Sequence, residues 1–105
     1  MPRIRFLVED FVEFPIWPND PGDDRDPLEL REQLPLSEPL LQRLFEVSRE
    51  YNQRDLASLP ADAQASWYLD FDRRAHKLAL AVENELGESF EVTFIPITAE
   101  YSSSI

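Results

Sequence analysis

A chain of 105 residues with 21 Asp and Glu against 10 Lys and Arg carries a formal charge of −11, a field that repels nucleic-acid phosphates and anionic membrane surfaces. No cysteine means no disulfide, thiolate nucleophile or zinc–thiolate site, and one histidine with two glycines supplies little for acid–base catalysis or phosphate-cradling loops. The apolar fraction of 43 % is ample for a core, so the composition predicts one folded domain spanning residues 1–105.

Residues 3–9 alternate, with Ile4, Phe6 and Val8 on one side, which is the period-two signature of a half-buried strand. Its early acidic residues, Glu9 and Asp10, break the apolar run a secretory leader needs. No stretch approaches the roughly 18 apolar residues of a membrane span, and a cytoplasmic location is expected. A second apolar segment follows at Phe11, Val12, Phe14, Ile16 and Trp17. Pro15 lies inside it and has no N–H to donate, so the segment reads as an edge strand or extended stretch. A bend at Asp10 joins the two, although the connection holds no glycine and no Asn-Gly pair.

Residues 18–36 are acidic and proline-rich. Within them Asn19–Pro27 is a loop by turn residues and lack of apolar period, and Leu28–Leu36 can form a helical turn that Pro35 closes. Ser37 then reads as an N-cap, with Glu38 and Pro39 in the first turn. Leu40, Leu41, Leu44, Phe45, Val47, Ser48 and Tyr51 follow on one helical face. On the other face, Glu50 and Arg54 have the spacing of a helical ion pair.

After a connection over Asp55–Ala65, the residues Trp67, Phe71, Ala75, Leu78, Val82 and Leu86 recur at steps of three and four. The helix they predict starts between Asp62 and Asp70 and ends at Gly87, a C-cap. Ser89–Ile97 reads as a last strand, with Val92 and Phe94 on one side and Pro96 near its end. The tail over 98–105 is expected to fray.

The fold class predicted is α+β in two layers. The N- and C-terminal strands lie side by side in a small sheet, and both helices cover one of its faces. The crossover through two helices allows a parallel pairing. The run Leu34-Pro35-Leu36-Ser37 before a leucine-rich helix, with Glu85-Leu86-Gly87 and a strand after it, resembles small bacterial proteins of actinobacterial type. That resemblance implies an α+β domain and carries over no functional residue.

Asp20, Asp23, Asp24 and Asp26 are the best candidate for binding a hard cation. Counted from Asp20, however, the sixth residue is Arg25 and the twelfth Arg31, where a calcium loop needs glycine and glutamate. A solvated turn is the better reading, and no metal or cofactor is expected. His76 stands four residues after Asp72, a spacing that permits an Asp–His hydrogen bond. No serine-nucleophile motif accompanies it, so it reads as a surface histidine. Arg73, Arg74, His76 and Lys77 wrap around a helix instead of lining one face, which favours pairing with acids of the same chain over phosphate binding.

The segment with Phe11, Phe14, Ile16 and Trp17 has more apolar surface than an edge element needs. Its side chains either close the core or anchor a partner. Three functional readings follow. An acidic, non-enzymatic interaction domain, of immunity or antitoxin type, would bind a basic protein. A self-associating domain would form a two-fold homodimer. A small binding protein or hydrolase would use an acidic cleft. The side-chain inventory favours the first.

Overall fold

The computed structural model describes residues 2–98. Residues 99–105 of the expected frayed tail lie outside the described residues. The elements run β1 (Arg3–Phe6), β2 (Ile16–Pro18), α1 (Pro27–Arg31), α2 (Glu38–Asn52), α3 (Ala61–Leu86), a 3₁₀ turn (Gly87–Ser89) and β3 (Glu91–Phe94). This is the α+β arrangement expected from the sequence, with a short extra helix.

The sheet has the order β2-β1-β3. β1 pairs with β2 antiparallel and with β3 parallel, placing Ile4 opposite Val92 and Phe6 opposite Phe94. The chain ends therefore meet side by side, and the parallel option is the one adopted. Strand alternation decides the faces. Ile4, Phe6 and Ile16 turn into the core, while Arg5 lies in register with Trp17 and Thr93 on the opposite face.

β1 and β3 are shorter than the sequence suggested, and each end has a local cause. Pairing with β2 stops at Ile16, and only the Leu7 N–H reaches further, donating to Pro15 O at 2.8 Å. Ser89 closes the 3₁₀ turn, and Pro96 has no N–H to extend the ladder.

The Ser37 hydroxyl accepts from the Leu40 N–H, and a proline occupies the first turn of α2 as expected. α3 begins at Ala61, one residue ahead of the expected range. No side chain caps it there. Pro60, with φ near the helical value, presets the first turn, and its carbonyl receives the Gln64 N–H. At 26 residues and about 1.5 Å per residue, α3 is about 39 Å long, against a longest molecular extent of 43 Å. Gly87 ends it at φ +64° and ψ −148°, a conformation that side chains make costly.

The core is one cluster in which α2 and α3 lay their apolar stripes against the inner face of the sheet. Phe14, Leu44, Phe71 and Val82 are fully buried. Burying each such side chain stabilises the fold by roughly 1.5–3 kcal/mol. Rings pack through the middle, with Trp67 stacked on Phe71 at 5.2 Å and Tyr51 tilted against Phe71 at 5.4 Å between centroids. No helix among the described residues is long and apolar enough to cross a membrane.

The expected Glu50–Arg54 pair does not form. α2 ends at Asn52, so Arg54 leaves helical spacing. Glu50 instead meets Arg74 of α3 in a two-pronged ion pair, with Nη1–Oε2 at 2.9 Å and Nη2–Oε1 at 2.7 Å.

Candidate partner-binding surface

The connection between β1 and β2 separates the four aromatic and aliphatic residues that the sequence singled out. Phe14 and Ile16 are buried, and the Phe14 ring packs 5.1 Å from Phe45 of α2. Trp17 is half-buried on the open face of the sheet, its indole N–H donating to Leu7 O at 3.0 Å and the Arg5 guanidinium 5.8 Å from its ring. Phe11 is 98 % exposed. Two of the four thus hold the segment to the core, one covers the sheet, and one projects into solvent.

Phe11 is also the described non-glycine residue with positive φ, at +65°. In that left-handed region Cβ crowds the backbone, and a bulky residue there costs about 1–3 kcal/mol. The cost arises because the chain turns at Asp10–Phe11 without a glycine to turn on. The conformation is held from outside the loop. Asn52, the last residue of α2, accepts the Phe11 N–H on Oδ1 at 2.6 Å. Its Nδ2 donates to Val12 O at 3.1 Å and to Ser48 O at 2.8 Å. One amide side chain thus fixes the loop to the end of a helix.

Arg54 braces the same loop from the other side. Its guanidinium donates to Asp10 Oδ1 at 2.9 Å, to Tyr51 O at 2.7 Å and to Tyr68 Oη at 3.2 Å. It also lies 3.9 Å from the Tyr51 ring centroid. Burial works against the cation, yet the hydrogen bonds to Asp10 and Tyr68 outweigh it and hold the guanidinium above its ordinary pKa. Beside the loop runs a groove of about 430 Å³ lined by Phe11, Glu13, Phe45, Arg49, Asn52 and Gln53. Glu13 and Asp10 are exposed and Glu9 is half-buried, so carboxylates flank Phe11 along the chain.

Most of the other candidates are taken up by the fold, while Asp24 and Lys77 are exposed. Asp20 accepts the Arg3 N–H at 2.9 Å and the Arg3 side chain at 3.0 Å, which together hold its carboxyl below the usual range. Asp23 pairs with Arg25 at 2.6 Å, and Asp26 caps α1 through the Glu29 N–H. No group of three or more His, Cys, Asp and Glu side chains able to hold a metal occurs among the described residues. Asp72 does not orient His76. It accepts from Ile97 N at 2.8 Å, Thr98 N at 3.1 Å and Thr98 Oγ1 at 2.6 Å, anchoring the chain beyond β3. His76 stacks on Phe94 at 4.9 Å. Arg73 and Arg74 both pair with Asp70, and Arg74 also with Glu50. The two arginines of the basic cluster are thus engaged by acids of their own chain.

Sequence reasoning picked out Phe11 but missed Asn52 and Arg54, whose partners lie some forty residues away in the chain. The sequence carried little signal for either, since a turn without glycine can be made entirely at negative φ and nothing local reveals that Phe11 takes a positive one.

No curated protein matches the chain. Over residues 3–97 it matches the family described as Serratia CdiI immunity protein-like. With nearly its whole length covered, this acidic α+β chain belongs to the Serratia CdiI immunity protein-like family.

Proposed function

We propose that this protein neutralises a toxin by binding it non-covalently, and that the toxin surface it meets is basic. The observation that carries the reading is the disposition of charge. Arg3, Arg25, Arg54, Arg73 and Arg74 are tied to acids of the same chain. Much of the scarce positive charge is thereby spent internally in a molecule of net charge −11. A negative field of that kind accelerates encounter with a cationic protein and disfavours acidic ones. Membership of an immunity-like family supports a toxin as the partner. The accessible parts of the segment, Phe11 and Trp17, would supply contact area, with Phe14 and Ile16 holding them in place from the core.

The test is capture of the protein encoded beside this chain. The expected result is a stoichiometric complex that blocks the toxin's activity, with association slowing steeply as salt rises. A chain that sediments as a stable homodimer and ignores the neighbouring product would favour self-association instead. Turnover of a substrate by this chain alone would favour the acidic-cleft reading.

A further inference from the structure

We propose that Phe11 is the anchor of the toxin interface, a preformed knob that enters an apolar pocket rimmed by Lys and Arg on the toxin. The inference rests on the immunity reading above and assigns it a surface. Three independent observations converge on this one residue. Its ring is 98 % exposed, the highest value among the exposed large apolar side chains of the described residues, and it is the one aromatic in that set. Its backbone sits at φ +65°, where glycine or asparagine is better tolerated. It is held there by Asn52, and the neighbouring Asp10 by Arg54. A position unfavourable in both exposure and backbone conformation, yet braced from two sides, is unexplained by the free protein's own stability. Strain of this kind clusters where it serves binding.

The charges choose the occupant. Glu9, Asp10 and Glu13 flank the ring in sequence, and Asp10 is already bound to Arg54. Glu9 and Glu13 have no ion-pair partner among the described residues, and the exposed Glu13, which lines the groove beside the ring, is placed to meet a basic rim. Arg49, which also lines the groove beside the ring, leaves room there for one acidic or carbonyl group of the toxin. Because the loop is fixed before encounter, little ordering cost is left for binding, as in other preorganised anchors. Central aromatic anchors of this kind dominate interface energetics.

The experiment measures the Kd and association rate of the toxin domain encoded beside this chain, carried in an inactivated form, for wild type, Phe11→Gly, Phe11→Asn, Leu69→Asn and Glu13→Lys. Melting temperatures and sedimentation of each variant are recorded alongside. Both Phe11 variants are expected to bind about 30-fold or more weakly while melting at the wild-type temperature or above, because each suits a positive φ. Leu69, another exposed apolar residue at 63 % exposure, lies on α3, and its variant should bind within about threefold of wild type. Glu13→Lys should slow association about tenfold at low salt and much less at high salt. Wild-type binding that survives both Phe11 substitutions overturns the anchor and leaves the immunity reading standing. Wild type that fails to bind the toxin overturns both. A homodimer that Phe11→Gly dissociates also overturns the inference, by assigning the ring to a second copy.

Discussion

The Glu85 carboxylate receives both the backbone N–H and the hydroxyl of Ser37, each at 2.7 Å. A side chain near the C-terminal end of α3 thereby grips the residue that caps α2, while the Ser37 oxygen still accepts the Leu40 N–H at 3.4 Å. Ser37 thus serves helix initiation and helix–helix register at once. Ser37→Ala should destabilise the fold by about 1–2 kcal/mol, at the upper end for a lost N-cap, because it also strips a donor from Glu85. Urea unfolding gives the number. Glu85→Gln, which keeps an acceptor, should cost less than Ser37→Ala.

Ser48 makes the opposite prediction. Its hydroxyl is buried on the inner face of α2, and among the described residues it finds no hydrogen-bond partner. An unpaired buried hydroxyl carries a desolvation cost of roughly 1–3 kcal/mol, and alanine removes it with a small change in volume and better helix propensity. Ser48→Ala should therefore raise the unfolding free energy by about 1 kcal/mol. A loss of stability on thermal melting would mean that the hydroxyl is satisfied.

What the sequence made legible was local. Ser37 with Pro39, the Phe71-to-Leu86 stripe and Gly87 each announce themselves within a few residues, because caps, periodicity and positive φ are short-range demands. That β1 and β3 lie side by side was legible, whereas connectivity only allowed their parallel pairing and the structure decides it. The contacts that define the candidate surface were not legible. Asn52 to Phe11, Arg54 to Asp10 and Asp72 to Thr98 are hydrogen bonds made by polar side chains across 26 to 44 residues. Any of many carboxylates or amides would have satisfied such bonds equally well. The Glu50–Arg54 expectation failed for the same reason, since helical spacing is informative only while the helix lasts. Phe14 and Phe11 illustrate the remaining ambiguity. Both are phenylalanines of one apolar segment, and only the backbone turn at Asp10–Phe11 decides which enters the core.

Asp72 is the anchor for the chain beyond β3, and through it the buried Ile97 joins the core. Asp72→Ala removes three hydrogen bonds at once and frees that segment. It should cost about 2–3 kcal/mol, with Asp72→Asn costing roughly half as much because one acceptor remains. Hydrogen exchange distinguishes this from a general loss of stability. Protection should fall first at Ile97 and Thr98, and at β3 before α2.

The last prediction concerns acid. The Arg3 N–H first, and then its guanidinium, hold the Asp20 carboxyl below its ordinary value of 3.8. Asp23 beside Arg25 and Asp70 beside Arg73 are lowered in the same way. A carboxyl whose pKa is depressed by folding binds fewer protons in the native state than in the unfolded chain near that pH. Its contribution to stability is therefore complete above the unfolded value and is lost as pH falls through the folded one. Asp20→Asn keeps the shape and removes the charge. The melting-temperature gap between it and wild type should stay constant from about pH 7 to pH 5 and close below the ordinary value of 3.8. Relief of the −11 self-repulsion as pH falls acts on both proteins nearly alike, so the gap isolates the Arg3–Asp20 tie. A gap that persists unchanged to about pH 2 would show that the Asp20 charge does not stabilise the native state.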